Sequence, residues 1–314
     1  MFTGELIERM SLFEFQERFA DEAACLAFMV QARWLHGFIC PRCACSKGYW
    51  IASRRSFECC DCGHQASVTA NTVMHRSKLP LRTWFWAIYL CATDKRGLSA
   101  KALQTRVGIS YPTAWFVLHR LRSAMAQRDS HYLLAGEVEM DEAFVGGQSK
   151  CTPGSGDKTG GGTDKCRVIV AMSLPEGRPG YLRMKAIRGP VDGADILAFT
   201  QASVSLDSHI TTDGSSLYRV LDKNQFSHTA KPYYKEGPEF LKWLHVVVSN
   251  LKAFVHGTYH GLGGEHLQAY LDEFSYRFSR RRDPGGLFSR LLTACAAADW
   301  LPWTSLVARA QAAP

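Results

Sequence analysis

The stretch that decides the fold is Glu137–Gly147, EVEMDEAFVGG. Val138, Met140, Ala143 and Phe144 make a short apolar strand that carries acids, and Gly146-Gly147 ends it. Asp141 sits inside the run, where a charge is costly to bury unless something binds it. Alternation puts Glu139 on the same face as Asp141, so Glu139 and Glu142 stand beside it as alternative ligands. A divalent metal is the obvious partner, and it asks for further ligands downstream. Asp213 ends a second apolar run, HITTDGSSL, and Ser249-Asn250-Leu251-Lys252 lies on a helical stretch. Two strand-end aspartates and a helix-borne oxygen ligand can converge on a two-metal phosphoryl-transfer site. Taken singly, Asp213 before Gly214 also suits a plain turn, and Asn250 a helix cap.

Charge along the 314 residues is uneven. Of the formal +8, residues 1–30 contribute −4, residues 31–130 contribute +11 and the rest +1. A basic excess held in one block of a hundred residues points to a polyanion such as nucleic acid. Apolar content of 46% and charged content of 21% are ordinary for a globular protein of two or three domains. No apolar run approaches 18 residues and no leader pattern opens the chain, so neither a membrane span nor a signal peptide is expected. Eleven cysteines, an odd number, do not suit a secreted disulfide framework. Reduced thiols, a metal site and a cytoplasmic location are expected.

Upstream of the acidic strand, Ser11 and Glu14 read as a capping box opening a helix through about Arg33, with Cys25 as a small core residue. Cys40 and Cys43, then Cys59 and Cys62, form two C-x2-C knuckles fifteen residues apart around hairpin-like strands. This is the pattern of a zinc ribbon holding one tetrahedral structural Zn2+. Cys45 and Cys60 are spare thiols, and His64 is a possible substitute ligand. Arg42, Lys47, Arg54 and Arg55 make the module basic enough to meet phosphate. Leu79-Pro80 starts a further helix, Ser99 caps another, and Gly108-Ile109-Ser110 turns into a third with Pro112 in its first turn. Helix, glycine turn and helix at this length resemble a helix-turn-helix, with Tyr111, Thr113, Arg120 and Arg122 available to DNA.

Downstream, residues 146–165 are glycine-rich, polar and without phosphate-loop spacing, though their lysines suit a DNA backbone. Strands are expected at Cys166–Leu174, Tyr181–Ile187, His209–Thr212 and Phe226–Ala230, with helices over Asp192–Val204, Phe240–Val255 and Glu265–Arg281. Strand, strand, strand, helix, strand, helix, with acids on the first and fourth strands, is the layout of an α/β ribonuclease-H-like fold. The aromatic stripe of the last helix reads as core, and Arg280-Arg281-Arg282 at its end as a solvated charge run or a DNA-backbone contact.

These residues resemble bacterial insertion-sequence transposases of the DDE type with a zinc-ribbon front end, the ISXO-like group. The similarity runs from about residue 11 to residue 282. It is carried by the cysteine knuckles, Lys78–Trp84, Thr113–Arg122, Val138–Glu142, Thr212–Gly214, Ser249–Lys252, Gly257–His260 and His266–Phe274. The resemblance implies domains at 1–36 (N-terminal helix), 37–76 (zinc ribbon), 77–130 (helix-turn-helix-like), 131–282 (ribonuclease-H-like) and 283–314 (helical tail). It also implies Mg2+ (or Mn2+) chemistry on double-stranded DNA, at terminal inverted repeats and a target, by a homo-oligomer in the bacterial nucleoid. By matching position Asp141 and Asp213 are the two aspartates, and Asn250 stands where many relatives have glutamate, with Lys252 nearby. An asparagine supplies only a neutral carbonyl oxygen, so Glu273 is the fallback third acid, although its place beside Asp272 on an amphipathic helix reads as exposed and structural. A DNA-binding regulator with a decayed catalytic domain, and a nuclease that cuts without joining, are the rival readings.

Overall fold

The computed structural model describes residues 10–145, 166–187, 189–232, 240–259 and 262–306. The glycine-rich stretch at 146–165 therefore lies outside the described residues. Two compact units emerge: one from the chain up to Arg128 together with Asp283–Trp303, the other from Asp129–Arg282 with the segment from Thr304 onward.

The first unit begins with two helices rather than the one expected, α1 (Leu12–Arg18) and α2 (Glu22–Arg33). The capping box at Ser11 is present. The break comes from Asp21, whose carboxylate accepts the Ala24 N–H at 2.8 Å and starts a new helix. The ribbon follows as a three-stranded antiparallel sheet, β1 (Gly48–Ile51), β2 (Ser56–Cys59) and β3 (Gln65–Ser67). Gly48 is required here, because a Cβ would stand 2.5 Å from the Phe38 ring that stacks on Phe57.

Three helices complete the basic block: α3 (Leu81–Thr93), α4 (Ala100–Val107) and α5 (Tyr111–Asp129). Gly108 ends α4 at φ +73°, a left-handed position that glycine enters without a Cβ penalty. Pro80 offers α3 no side-chain cap, and Glu22 supplies one from α2 instead. Its two oxygens accept the N–H groups of Leu81 and Arg82, each at 3.0 Å, while Arg55 of the ribbon pairs with the same carboxylate at 2.7 Å. The stretch after Asp283 contributes α10 (Leu287–Ala297) to this unit, where Phe288 closes an aromatic cluster with Phe15, Phe19 and Tyr89.

The second unit is built on a five-stranded sheet in the order β6-β5-β4-β7-β8. Its members are β4 (Glu137–Val145), β5 (Cys166–Ser173), β6 (Leu182–Ile187), β7 (His209–Thr212) and β8 (Ser227–Ala230). The first three are antiparallel neighbours, and β7 and β8 add in parallel on the other side of β4. An antiparallel meander followed by parallel strands beside its first member is the ribonuclease-H-like arrangement expected from the sequence. Val138, Met140, Ile169 and Ala171 pack on the side of α6 (Gly193–Ser203). Ala143, Val145, Val168 and Val170 pack on the other side, against α8 (Lys242–Thr258) and α9 (Leu267–Ser279). A short helix absent from the sequence reading, α7 (Arg219–Lys223), lies between β7 and β8.

Candidate active site

The alternation of β4 sends Ala143 and Val145 into the layer below α8, and by the same period Glu139 and Asp141 face that way. Parallel pairing sets Glu137 against His209 and Glu139 against Thr211. Two residues further along each strand stand Asp141 and Asp213, so adjacent parallel strands present both aspartates at the same level. Asp213 is oriented by its own turn, its Oδ1 accepting the Ser215 N–H at 3.0 Å. Asp141 Oδ1 accepts the Glu142 N–H at 2.7 Å.

Across from them, α8 buries Leu244, Val247, Leu251 and Val255. His245 lies beside that stripe, with Nε2 3.6 Å from Asp141 Oδ2. Asn250 comes five residues later, roughly 140° around the helix, and lies on the opposite flank of the buried stripe. It is exposed and makes no hydrogen bond among the described residues. The side chain that α8 brings to the aspartates is thus His245, which the sequence reading passed over. Its signal was available: His245, Ser249, Lys252 and His256 recur at helical spacing, an exposed polar row that contains Lys252 and not Asn250.

Glu273, the fallback acid, is 1% exposed, which corrects the exposed position expected for it. Its carboxylate takes the Tyr259 hydroxyl at 3.2 and 3.3 Å and Arg277 Nε at 3.2 Å, a buried network joining the end of α8 to α9. Its neighbour Asp272 is pushed up to about 6 by burial.

The electrostatics single out the strand-end cluster. Burial pushes the Asp141 carboxyl above its ordinary value and the Asp213 charge adds to this, against the Glu142 N–H and the His245 ring. Glu142 is raised as well, by burial and then by Asp141 and Asp213, with Arg167 opposing. Glu139 is raised by burial, and the Leu244 N–H in the first turn of α8 draws it back. Tyr218 faces the same charges: burial, then Asp141, Glu142 and Asp213, hold its hydroxyl well above the usual range. That hydroxyl is buried without a hydrogen-bond partner among the described residues. Crowded carboxylates, and an orphaned hydroxyl among them, fit a divalent cation held by oxygen ligands.

The ribbon fits its metal too. The sulfurs of Cys40, Cys43, Cys59 and Cys62 all lie within 4.8 Å of one another, as close as 3.6 Å for Cys40–Cys62 and 3.5 Å for Cys43–Cys59. Four thiolates at Zn–S distances of about 2.3 Å require such spacing. Backbone N–H groups at Cys62 and Asp61 bring the Cys59 thiol down to about 6, the state a metal needs. Of the spare groups, Cys45 bonds the Lys47 backbone and His64 uses its carbonyl in the ribbon turn.

The proposed DNA contacts divide. Arg42 is exposed, as is Tyr111 at the start of α5, where the Thr113 hydroxyl meets Ser110 at 2.8 Å. Arg54 and Arg55 are exposed but engaged with Gln65 and Glu22. Arg120 and Arg122 are 3% and 2% exposed and so do not face DNA. Arg120 donates to the carbonyls of Val73, His75 and Leu301 at 2.7 to 3.1 Å, which makes it a tertiary clamp. In the second unit Arg280 pairs with Asp129 at 2.6 Å and Arg281 bonds the carbonyls of Phe278 and Gly180, so both are engaged within the fold.

Residues 133–279 match the ISXO2-like transposase domain, and residues 20–65 match the transposase zinc-ribbon domain. Over these two stretches the chain is similar to ISXO2-like transposases. A curated relative, "Uncharacterized protein in transposable element ISH50" of Halobacterium salinarum, is 26% identical over 284 residues, covering 85% of this chain and 94% of its own length. Among solved structures, a pre-cleavage Mos1 transpososome chain is 12% identical, with 68% of this chain and 79% of that one covered, at a TM-score of 0.27. A chain of the simian T-cell lymphotropic virus intasome in complex with PP2A regulatory subunit B56 gamma is 15% identical, with 60% and 65% covered, at 0.30. At these scores the strand order, not the overlay, carries the fold.

Proposed function

We propose that this protein is a transposase that cleaves DNA at the ends of an insertion sequence and joins the freed 3′ ends to a target. The observation that carries the reading is the level placement of Asp141 and Asp213 on neighbouring parallel strands, with His245 of α8 3.6 Å from Asp141. Asp141 and Asp213 would hold Mg2+ or Mn2+, with His245 in the third position and Glu142 and Tyr218 around them. When bound, such ions lower the pKa of an attacking water and neutralise charge on the leaving 3′ oxygen. The protein supplies the positioning. The Ser215 N–H fixes Asp213, and the Glu142 N–H and the His245 ring fix Asp141. The row Ser249, Lys252 and His256 continues outward from His245 along α8, where Lys252 is placed to meet a phosphate of the same strand. Asn250 takes no part in this assignment.

In this reading the zinc ribbon, through Arg42, and the α4–turn–α5 pair, as a helix-turn-helix reading with Tyr111 and Thr113, engage terminal-repeat DNA. Two ends joined together require more than one copy of the chain. Such work belongs in the bacterial cytoplasm on nucleoid DNA, and no described helix is long and apolar enough to cross a membrane.

The test is nicking and joining of the element's terminal DNA by purified protein with Mg2+ or Mn2+. Asp141→Ala and Asp213→Ala should fall to background. His245→Ala should lose at least about 100-fold, the scale of a positioned catalytic group, while Asn250→Ala stays near the unsubstituted rate. Loss in Asn250→Ala with none in His245→Ala would return the third position to Asn250. Tight DNA binding without any cleavage by the unsubstituted protein would make it a regulator, and nicks without joined product a nuclease.

A further inference from the structure

Behind Asp213 lies a chain of hydrogen bonds that the proposed chemistry does not use. Asp222 on α7 sets Oδ1 2.8 Å from His228 Nδ1. His228 on β8 sets Nε2 2.8 Å from Thr212 Oγ1, and the Thr212 hydroxyl donates to the carbonyl of Asp213 at 2.9 Å. Thr212 is fully buried and the His228 side chain is 2% exposed, so this is no nucleophile open to a substrate.

Donor counting decides the arrangement. A carbonyl only accepts, so the single hydroxyl proton of Thr212 goes to Asp213. His228 Nε2 must then donate to Thr212 Oγ1. An ionised Asp222 also only accepts, so Nδ1 must donate as well. All three contacts are satisfied together only when both ring nitrogens carry a proton, with the Asp222 carboxylate as counter-charge.

We infer that Asp222, His228 and Thr212 form a clamp that positions Asp213 for metal binding, with His228 as its doubly donating centre. The Asp213 side chain is held by the Ser215 N–H, and its main chain by this clamp. The inference rests on Asp213 being a metal-binding residue, as proposed above. It also gives a purpose to the excursion through α7, which returns the chain to β7 with an acid and a histidine in hand.

The experiment uses the full-length protein and four variants: Thr212→Val, Thr212→Ser, Asp222→Asn and, as reference, Asp213→Asn. Mn2+ affinity is read by electron paramagnetic resonance, cleavage rate at saturating DNA, thermal midpoint, and the side-chain 15N resonances of His228 in metal-free protein. Asp213→Asn should abolish Mn2+ binding. Thr212→Val should weaken Mn2+ binding and cleavage by about 10- to 100-fold, the usual cost of removing a ligand's supporting hydrogen bond. Thr212→Ser, which keeps the hydroxyl, should stay near the unsubstituted protein. Asp222 is 56% exposed, so Asp222→Asn leaves the core intact; it should shift the His228 side-chain 15N resonances and weaken Mn2+ in the same direction. Equal loss in Thr212→Val and Thr212→Ser, or Mn2+ affinity unchanged in both Thr212→Val and Asp222→Asn, overturns the clamp while leaving the catalytic reading intact. Mn2+ binding that survives Asp213→Asn overturns both.

Discussion

The ribbon and the carboxylate cluster are both places where anionic ligands gather, and they gather in opposite ways. The four cysteines come from two short knuckles on one hairpin, and their sulfurs close on a single point. The carboxylates come from β4 and the end of β7 and the histidine from α8, so their meeting depends on tertiary structure. In the ribbon backbone donors lower the Cys59 thiol while Cys43 and Cys62 are raised, whereas on β4 burial raises both Asp141 and Glu142 and the nearby Asp213 charge adds to it. A closed thiolate set is the arrangement of a structural metal.

Three measurements would break or sharpen this contrast. The largest effect belongs to the ribbon. Structural zinc in such ligand sets carries on the order of 10 kcal/mol of binding free energy. Cys59→Ser should therefore release the metal and melt β1–β3, seen as zinc content near zero with loss of strand signal in circular dichroism. A folded ribbon without zinc would end the comparison.

The second effect has the opposite sign. Asp141 is raised in the folded protein, so its ionised form is disfavoured there, and stability falls as pH rises from the ordinary aspartate value, 3.8, through the raised one. Above the raised value that penalty is fully present. Asp141→Asn should accordingly raise the thermal midpoint of the metal-free protein, and Mn2+ should stabilise the unsubstituted chain but not the variant. A lower midpoint for Asp141→Asn would mean that the carboxylate supports the fold as the cysteines do.

The smallest effect is on pH dependence. Protons compete with metal at Asp141 and Glu142 in a range above that of ordinary carboxylates, so Mn2+ affinity should weaken on acidification before that of a free carboxylate pair would. Titration of Mn2+ affinity against pH checks this, and a profile set by ordinary aspartate values would show that the crowding is not felt by the metal.

The same contrast explains what could be read in advance. The cysteine spacing is local, so the ribbon was legible residue by residue. Strand and helix periods placed β4 to β8 and α6, because alternation and capping, such as Asp192 before α6, act over a few residues. Asp21 was missed because a capping aspartate inside a continuous apolar pattern looks like any surface acid. The approach of His245 to Asp141 was not legible because it depends on which flank of the buried stripe of α8 lies over β4. Arg120 misled for a related reason: an arginine on a presumed recognition helix looks free to meet a phosphate, and only tertiary structure shows three carbonyls waiting for it.

Glu22 ties the ribbon to the helices beside it. One carboxylate caps α3 and holds Arg55 of the ribbon hairpin. Whatever free energy zinc adds to the hairpin is therefore shared, by linkage, with a helix whose own first turn has no local cap. The stability of the basic block then becomes a function of zinc activity, and a cell short of zinc would hold less of this protein folded.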